Sequence, residues 1–189
     1  KYTLGRGRLS EGVKLGVVNS KIEGELSIPG ENPANDPALN GADINLSEIM
    51  FDMGVGVFYT GDRFYAGGAL AHLTKPQIKI GEIGQFFFTR HMYLTGGYTF
   101  TLSPRFDLQP SAFFKTDFVS TQYSINTNVV FNKMYWSGIS YRYEEVLIFM
   151  GGLELKDGIM VGYSYDWNVS DLGKYTGGTH EVTLSYQFG

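Results

Sequence analysis

Apolar and polar side chains alternate with a period of two through nearly the whole chain, and almost no helical period is present. Tyr123, Ile125, Thr127, Val129 and Phe131 alternate with Gln122, Ser124, Asn126, Asn128 and Val130. Tyr135, Ile139, Tyr141 and Tyr143 share one parity, while Gly138, Ser140 and Arg142 share the other. Leu147, Phe149, Leu153 and Leu155 form a further apolar row, opposed by Glu154. Ile159, Val161, Tyr163, Tyr165 and Trp167 alternate with Met160, Gly162, Ser164 and Asp166. Val182, Leu184, Tyr186 and Phe188 alternate with Glu181, Thr183, Ser185 and Gln187. Successive side chains of a strand point to opposite faces, so each segment carries one apolar face and one polar or small-residue face. The chain is expected to be all-β and antiparallel.

The pattern continues upstream. Phe106, Leu108, Pro110, Ala112 and Phe114 oppose Asp107, Gln109, Ser111 and Lys115. Met92, Leu94, Tyr98, Phe100 and Leu102 oppose Tyr93, Thr95 and Thr99, and Phe51, Met53, Val55, Val57 and Tyr59 oppose Asp52, Gly54 and Gly56. Pro110 brings no N–H to a ladder and should mark a local irregularity. The segment over residues 9–28 changes phase near Asn19, which a bulge or a strand running past its buried zone would explain. Residues 64–73 are too rich in small side chains for their faces to be assigned. About ten strands result, plus a remnant before Gly5, most near the ~9–11 residues of a membrane strand.

A soluble lipocalin-like barrel also alternates, with its large apolar residues inside, so the side on which the apolar face lies must be argued. From Phe106 onward the apolar rows hold no charge; Asp107, Lys115, Arg142, Glu154, Asp166 and Glu181 all take the other parity. A charge facing lipid at mid-depth costs up to about 2–4 kcal/mol, so a bilayer would impose this segregation. Aromatics gather at strand ends: Tyr141, Tyr143, Tyr165 and Trp167 at one, Phe106, Phe131, Tyr135 and Phe188 at the other. Two such girdles belong at headgroup level. The remaining face, of glycine, serine, asparagine and charge, is too small and wet for a dry core. The favoured architecture is an antiparallel transmembrane β-barrel.

Composition excludes several alternatives. The chain has 189 residues and no cysteine, so disulfide scaffolds and thiolate chemistry are ruled out. A net charge of −4 gives no footprint for nucleic acid. The longest apolar run, residues 146–153, is too short for a membrane helix. Starting at Lys1 with neither an initiator methionine nor a signal peptide, the chain reads as a processed, trimmed or partial product.

Loop lengths set an orientation. With the C-terminus periplasmic, that side receives the turns at residues 5–8, 61–62, 103–105, 132–133 and 156–158. The outer side receives residues 27–47, 74–86, 116–120, the tight pair Glu144 and Glu145, and residues 168–178. Short turns inside and generally longer loops outside is the pattern of an outer-membrane barrel. The loop around ENPANDP, within residues 29–40, reads equally as an idle cap or a partner-binding lid.

The strand-end motifs resemble the PorP/SprF family of outer-membrane proteins associated with type IX secretion in Gram-negative Bacteroidota. The stretches are FYAGGALAHLTKP (64–76), GGYTFTL (96–102), LQPSAFFK (108–115), YWSGISYRY (135–143), VGYSYDWNVSDLGKY (161–175) and GGTHEVTLSYQF (177–188). The resemblance covers roughly residues 9–188 and is to the C-terminal part of the family pattern. The resemblance implies a barrel of about fourteen strands, with the family's first strands not seen here, so that residues 1–189 form one barrel domain. It also implies a non-enzymatic part of the secretion and gliding apparatus, without cofactor. The implied partners are outer-membrane lipid, a secreted adhesin or cargo with a type-B C-terminal domain, and a periplasmic ring or peptidoglycan-binding component. An outer-membrane porin or small-molecule channel is the alternative.

Arg142, Asp166 and Glu181 share the polar parity near the outer strand ends and read as an ion-pair network bracing the wall, or as a partner-contact patch at the mouth. With His180 beside Glu181 they are the candidate partner-binding residues. His180 and His72 are expected to be rim histidines, since three scattered histidines make no zinc site. Ser185 and His180 share a strand but stand about 17 Å apart, too far for a nucleophile and its base. Gly5-Arg6-Gly7-Arg8 lacks dinucleotide-loop spacing and reads as a turn, and the glycosylation patterns at Asn45 and Asn168 are of chance frequency.

Overall fold

The computed structural model describes residues 2–25, 43–80, 84–155, 158–174 and 177–186. The alternation becomes strands: β1 (Tyr2–Leu4), β2 (Gly7–Glu25), β3 (Asp43–Thr60), β4 (Phe64–Ala71), β5 (Gln77–Ile80), β6 (Gly84–Phe87) and β7 (His91–Tyr98). They continue with β8 (Phe100–Ser103), β9 (Phe106–Thr116), β10 (Thr121–Phe131), β11 (Tyr135–Arg142), β12 (Val146–Glu154), β13 (Ile159–Asn168) and β14 (Thr179–Tyr186). A single 3-10 turn, Asp171–Lys174, is the one helical element among the described residues.

Twelve strands form one antiparallel sheet in the order β1-β2-β3-β4-β7-β9-β10-β11-β12-β13-β14, with β8 beside β9. The order is linear. Its edges, β1 and β14, are not paired with each other among the described residues, so the sheet is not closed. By contacts the chain divides into two compact units. One comprises Lys1–Glu11, Gly56–Ala69 and Met92–Gly189, and the other Gly12–Val55 and Leu70–His91.

In the first unit the register carries each apolar row across the strands. Phe106, Phe131, Tyr135, Leu153, Val161 and Leu184 stand side by side in β9 to β14. Leu108, Val129, Ser137, Gly151, Tyr163 and Val182 form the next row, and Pro110, Thr127, Ile139, Phe149, Tyr165 and His180 the one beyond. Directly paired residues share a face, so the rows merge into one apolar field. Aromatic pairs mark its two ends: Phe106 on Phe131, with centroids 4.8 Å apart, and Tyr123 on Tyr143 at 4.7 Å. From Tyr123 to Phe131 is about 26 Å along the strand, or about 20 Å if tilted as in a barrel, the scale of a lipid-facing band. Phe188, expected in one girdle, lies outside the described residues.

This field is uncovered. Val146 is the one buried hydrophobic side chain among the described residues, whereas Ile125, Val182 and Leu184 are 61%, 74% and 75% exposed. Soluble monomers rarely show contiguous apolar patches beyond a few hundred Å².

Several details depart from the sequence reading. Residues 74–86, expected as one outer loop, instead hold β5 and all but the last residue of β6, which pair as a separate two-stranded sheet. The strand expected over residues 92–102 is broken at Thr99 into β7 and β8, both on β9. The break at Thr99 falls opposite Gln109, next to Pro110, because the register runs from Gly97 beside Ser111 to Phe100 beside Leu108. Thus the irregularity anticipated at Pro110 appears in its neighbour, which loses a ladder donor there. Leu102 is then an extra residue between Thr101 beside Asp107 and Ser103 beside Phe106, a bulge at the turn. β2 passes through Asn19 as one strand, longer than a bilayer span requires.

The turns follow the expected parity. At the β10–β11 connection Asn132 and Lys133 both have positive φ, 53° and 55°, and the Met134 N–H donates to the Phe131 carbonyl at 3.1 Å. That is a type I′ hairpin turn, whose twist matches the flanking strands. Residues 156–157 and the loop containing ENPANDP lie outside the described residues.

Candidate functional site

Arg142, Asp166 and Glu181 occupy the polar face, but not one row. Arg142 stands beside Ser124 and Val146, Asp166 beside Ile148 and Thr179, and Glu181 beside Ser164. Val146 and Ile148 of β12 therefore separate the guanidinium from Asp166. Arg142 instead reaches along its own turn, with Nη1 3.4 Å from Glu145 Oε2. The Glu145 carboxylate also accepts two hydrogen bonds from Gln122 Nε2, at 3.1 and 3.0 Å. The ion-pair network expected among Arg142, Asp166 and Glu181 is thus replaced by an Arg142–Glu145–Gln122 cluster at the β11–β12 turn. Both partners are well exposed, so the pair contributes at most about 1 kcal/mol.

His180 lies on the opposite face from Glu181, paired with Tyr165. Its Nδ1 is hydrogen-bonded to the Tyr163 hydroxyl at 2.6 Å, and its ring packs on Tyr165 with centroids 4.8 Å apart. The ring is thus hydrogen-bonded and set between two tyrosines.

His72 is differently placed. It follows β4 with φ of 55°, and its Nδ1 lies 3.1 Å from Asp52 Oδ2. The Asp52 side chain is only 4% exposed. The approach lacks hydrogen-bond alignment, and Asp52 Oδ1 and His72 Nδ1 are left without hydrogen bonds among the described residues. Residues 72–75 are strapped to β3: Leu73 N–H donates to the Met53 carbonyl at 2.9 Å, and Thr74 Oγ1 to the Phe51 carbonyl at 2.8 Å. The Arg90 guanidinium donates twice to the Leu73 carbonyl, at 3.1 and 3.0 Å, while the His91 ring stands edge-on to His72. No group of three His, Asp or Glu residues among those described could hold a metal. Sequence reasoning missed Asp52 because its partner lies some twenty residues away, across a register that spacing does not reveal.

The β9–β10 loop is a short, braced hairpin. Asp117 Oδ1 accepts from the N–H groups of Val119 and Ser120 at 2.9 and 2.6 Å, and Thr116 Oγ1 donates to the Ser120 carbonyl at 2.8 Å. Its tip holds Phe118 and Val119 in solvent, 64% and 90% exposed. At the β11–β12 turn the Tyr143 hydroxyl is pushed up to about 12, first by its hydrogen bond to the Glu144 side chain, then by that carboxylate's charge and by Tyr123.

Residues 2–186 match the family described as type IX secretion system membrane protein PorP/SprF. The chain belongs to the PorP/SprF family. The match covers almost the whole chain and takes in the strand-end motifs that carry the resemblance read from sequence, the last of them as far as Tyr186. No curated protein matches the chain. As a PorP/SprF protein it is a membrane component of type IX secretion, a role that implies contact with the secretion machinery or its cargo. The strapped segment of Asp52 and His72 falls within the FYAGGALAHLTKP motif and the strand packed against it, so this PorP/SprF motif does structural work at the end of β4.

Proposed function

We propose that this PorP/SprF protein is a single β-barrel domain of the bacterial outer membrane, closed by additional strands between β14 and β1 to about fourteen. In this reading it is a non-enzymatic component of secretion and gliding. It holds a secreted adhesin through its type-B C-terminal domain, couples to a periplasmic ring or peptidoglycan-binding component, or does both. The observation that carries the reading is the uncovered apolar field of β9 to β14, bounded by aromatic pairs at both ends. Water cannot cover it at tolerable cost, whereas acyl chains can.

The longer connections then face outward, and Arg142, Asp166 and Glu181 line the mouth on the inner face as partner contacts. His180 contributes from the rim on the other face. The braced tip with Phe118 and Val119 adds an apolar anchor of the kind that dominates protein interfaces.

Native pulldown of the intact protein in mild detergent, followed by mass spectrometry, tests this. The expected result is co-purification of a secreted protein bearing a C-terminal sorting domain, or of a periplasmic anchor. Replacing Arg142, Asp166 and Glu181 together should reduce it. Recovery of the barrel alone, with steady ion conductance in planar bilayers, would favour a channel instead.

A further inference from the structure

The polar face of the first unit is not uniformly polar. At its short-turn end a cavity of about 570 Å³ is walled by Trp136, Met134, Met150 and Met160, with Asp107, Lys133 and Glu154 around them. Trp136 stands beside Gly152, and Gly152 beside Gly162, in consecutive strands. A Cβ on Gly152 would come 2.7 Å from the indole Cζ2, and one on Gly162 3.2 Å from it, so the ring is inlaid over two glycines.

Two further features point to a ligand. Trp136 Nε1, which can only donate, and Asn128 Oδ1 both belong to this wall, are buried, and have no hydrogen-bond partner among the described residues. Asp107, Lys133 and Glu154 enter no ion pair among the described residues, leaving two carboxylates against one ammonium. An adaptable methionine and indole floor, one free donor, one free acceptor and an excess of negative charge together complement a peptide.

We infer that this cavity binds a peptide segment of a partner protein, with one aliphatic side chain against Trp136 and the methionines. With the indole turned toward the cavity, the segment's backbone amide meets Nε1–H and Asn128, and a neighbouring lysine or arginine meets Asp107 and Glu154. Its position inside the barrel at the periplasmic end rests on the membrane reading above.

Trp136 and Trp167 are the two tryptophans, so Trp167→Phe leaves Trp136 as sole reporter in the intact chain, reconstituted in vesicles. Titration with acetyl-Lys-Leu-Lys-amide should shift its emission saturably. Acetyl-Glu-Leu-Glu-amide and acetyl-Lys-Ser-Lys-amide should bind at least tenfold more weakly, and Glu154→Gln should weaken the first peptide severalfold. No saturable shift, or equal responses to all three peptides, overturns the inference. A Trp136→Phe chain in brominated lipid tests the membrane reading separately. Quenching of Trp167 sustains that reading whatever the peptides do, and its absence overturns it.

Discussion

Asp52 Oδ2 and His72 Nδ1 lie 3.1 Å apart, joining a buried carboxylate of β3 to the residue that ends β4. Removing the ring takes away the polar neighbour that lies against this buried carboxylate. His72→Ala should therefore destabilise the protein by about 1–3 kcal/mol, the cost of leaving a buried polar group without its neighbour. Asp52→Asn, which leaves a neutral amide, should cost less. Denaturant midpoints of both variants in the same lipid check the order.

The Trp136 inlay predicts unequal glycine substitutions. A Cβ on Gly152 would also run into the Val161 carbonyl, part of the backbone, whereas on Gly162 the indole edge is the nearest obstacle. Gly152→Ala should cost about 1–3 kcal/mol. Gly162→Ala should cost less and mainly displace the ring, seen as altered Trp136 emission in a chain lacking Trp167.

Asp117 braces the β9–β10 tip through the N–H groups of Val119 and Ser120. Asp117→Ala should leave the sheet intact but speed amide exchange at those two positions, with a loss of about 1 kcal/mol.

Tyr143 gives a pH test outside the membrane-spanning segments. Its folded value is raised from 10.0 to about 12, so the stability contributed by its contact with Glu144 is fully present below pH 10 and lost as pH rises through 12. Glu144→Gln should bring its phenolate absorbance transition back toward the ordinary tyrosine range.

Which parts of this were legible in sequence follows from physics. Strands β9 to β14 were readable because one face carries no acidic or basic residue other than His180, so parity alone separates Ile125 from Ser124 and Val182 from Glu181. The β5–β6 hairpin was not, since four-residue strands hold too few alternations to register a period. Arg142 was assigned to Asp166 by shared parity, but a neighbour three residues along a tight turn is closer than one across an intervening strand. Trp136 was hidden by the polar company of Gly138, Ser140 and Arg142. Its parity, with Gly152 and Gly162 at matching positions, was the available signal.

The central claim is that the field built from rows such as Val161 with Leu184 touches acyl chains. The chain has no cysteine, so single cysteines along β14 can carry spin labels in reconstituted vesicles, with collision rates measured against oxygen and a water-soluble nickel chelate. Labels at 182, 184 and 186 should collide with oxygen and those at 181, 183 and 185 with nickel, alternating residue by residue. Equal access of the chelate to both sets, or the opposite alternation, would contradict the account.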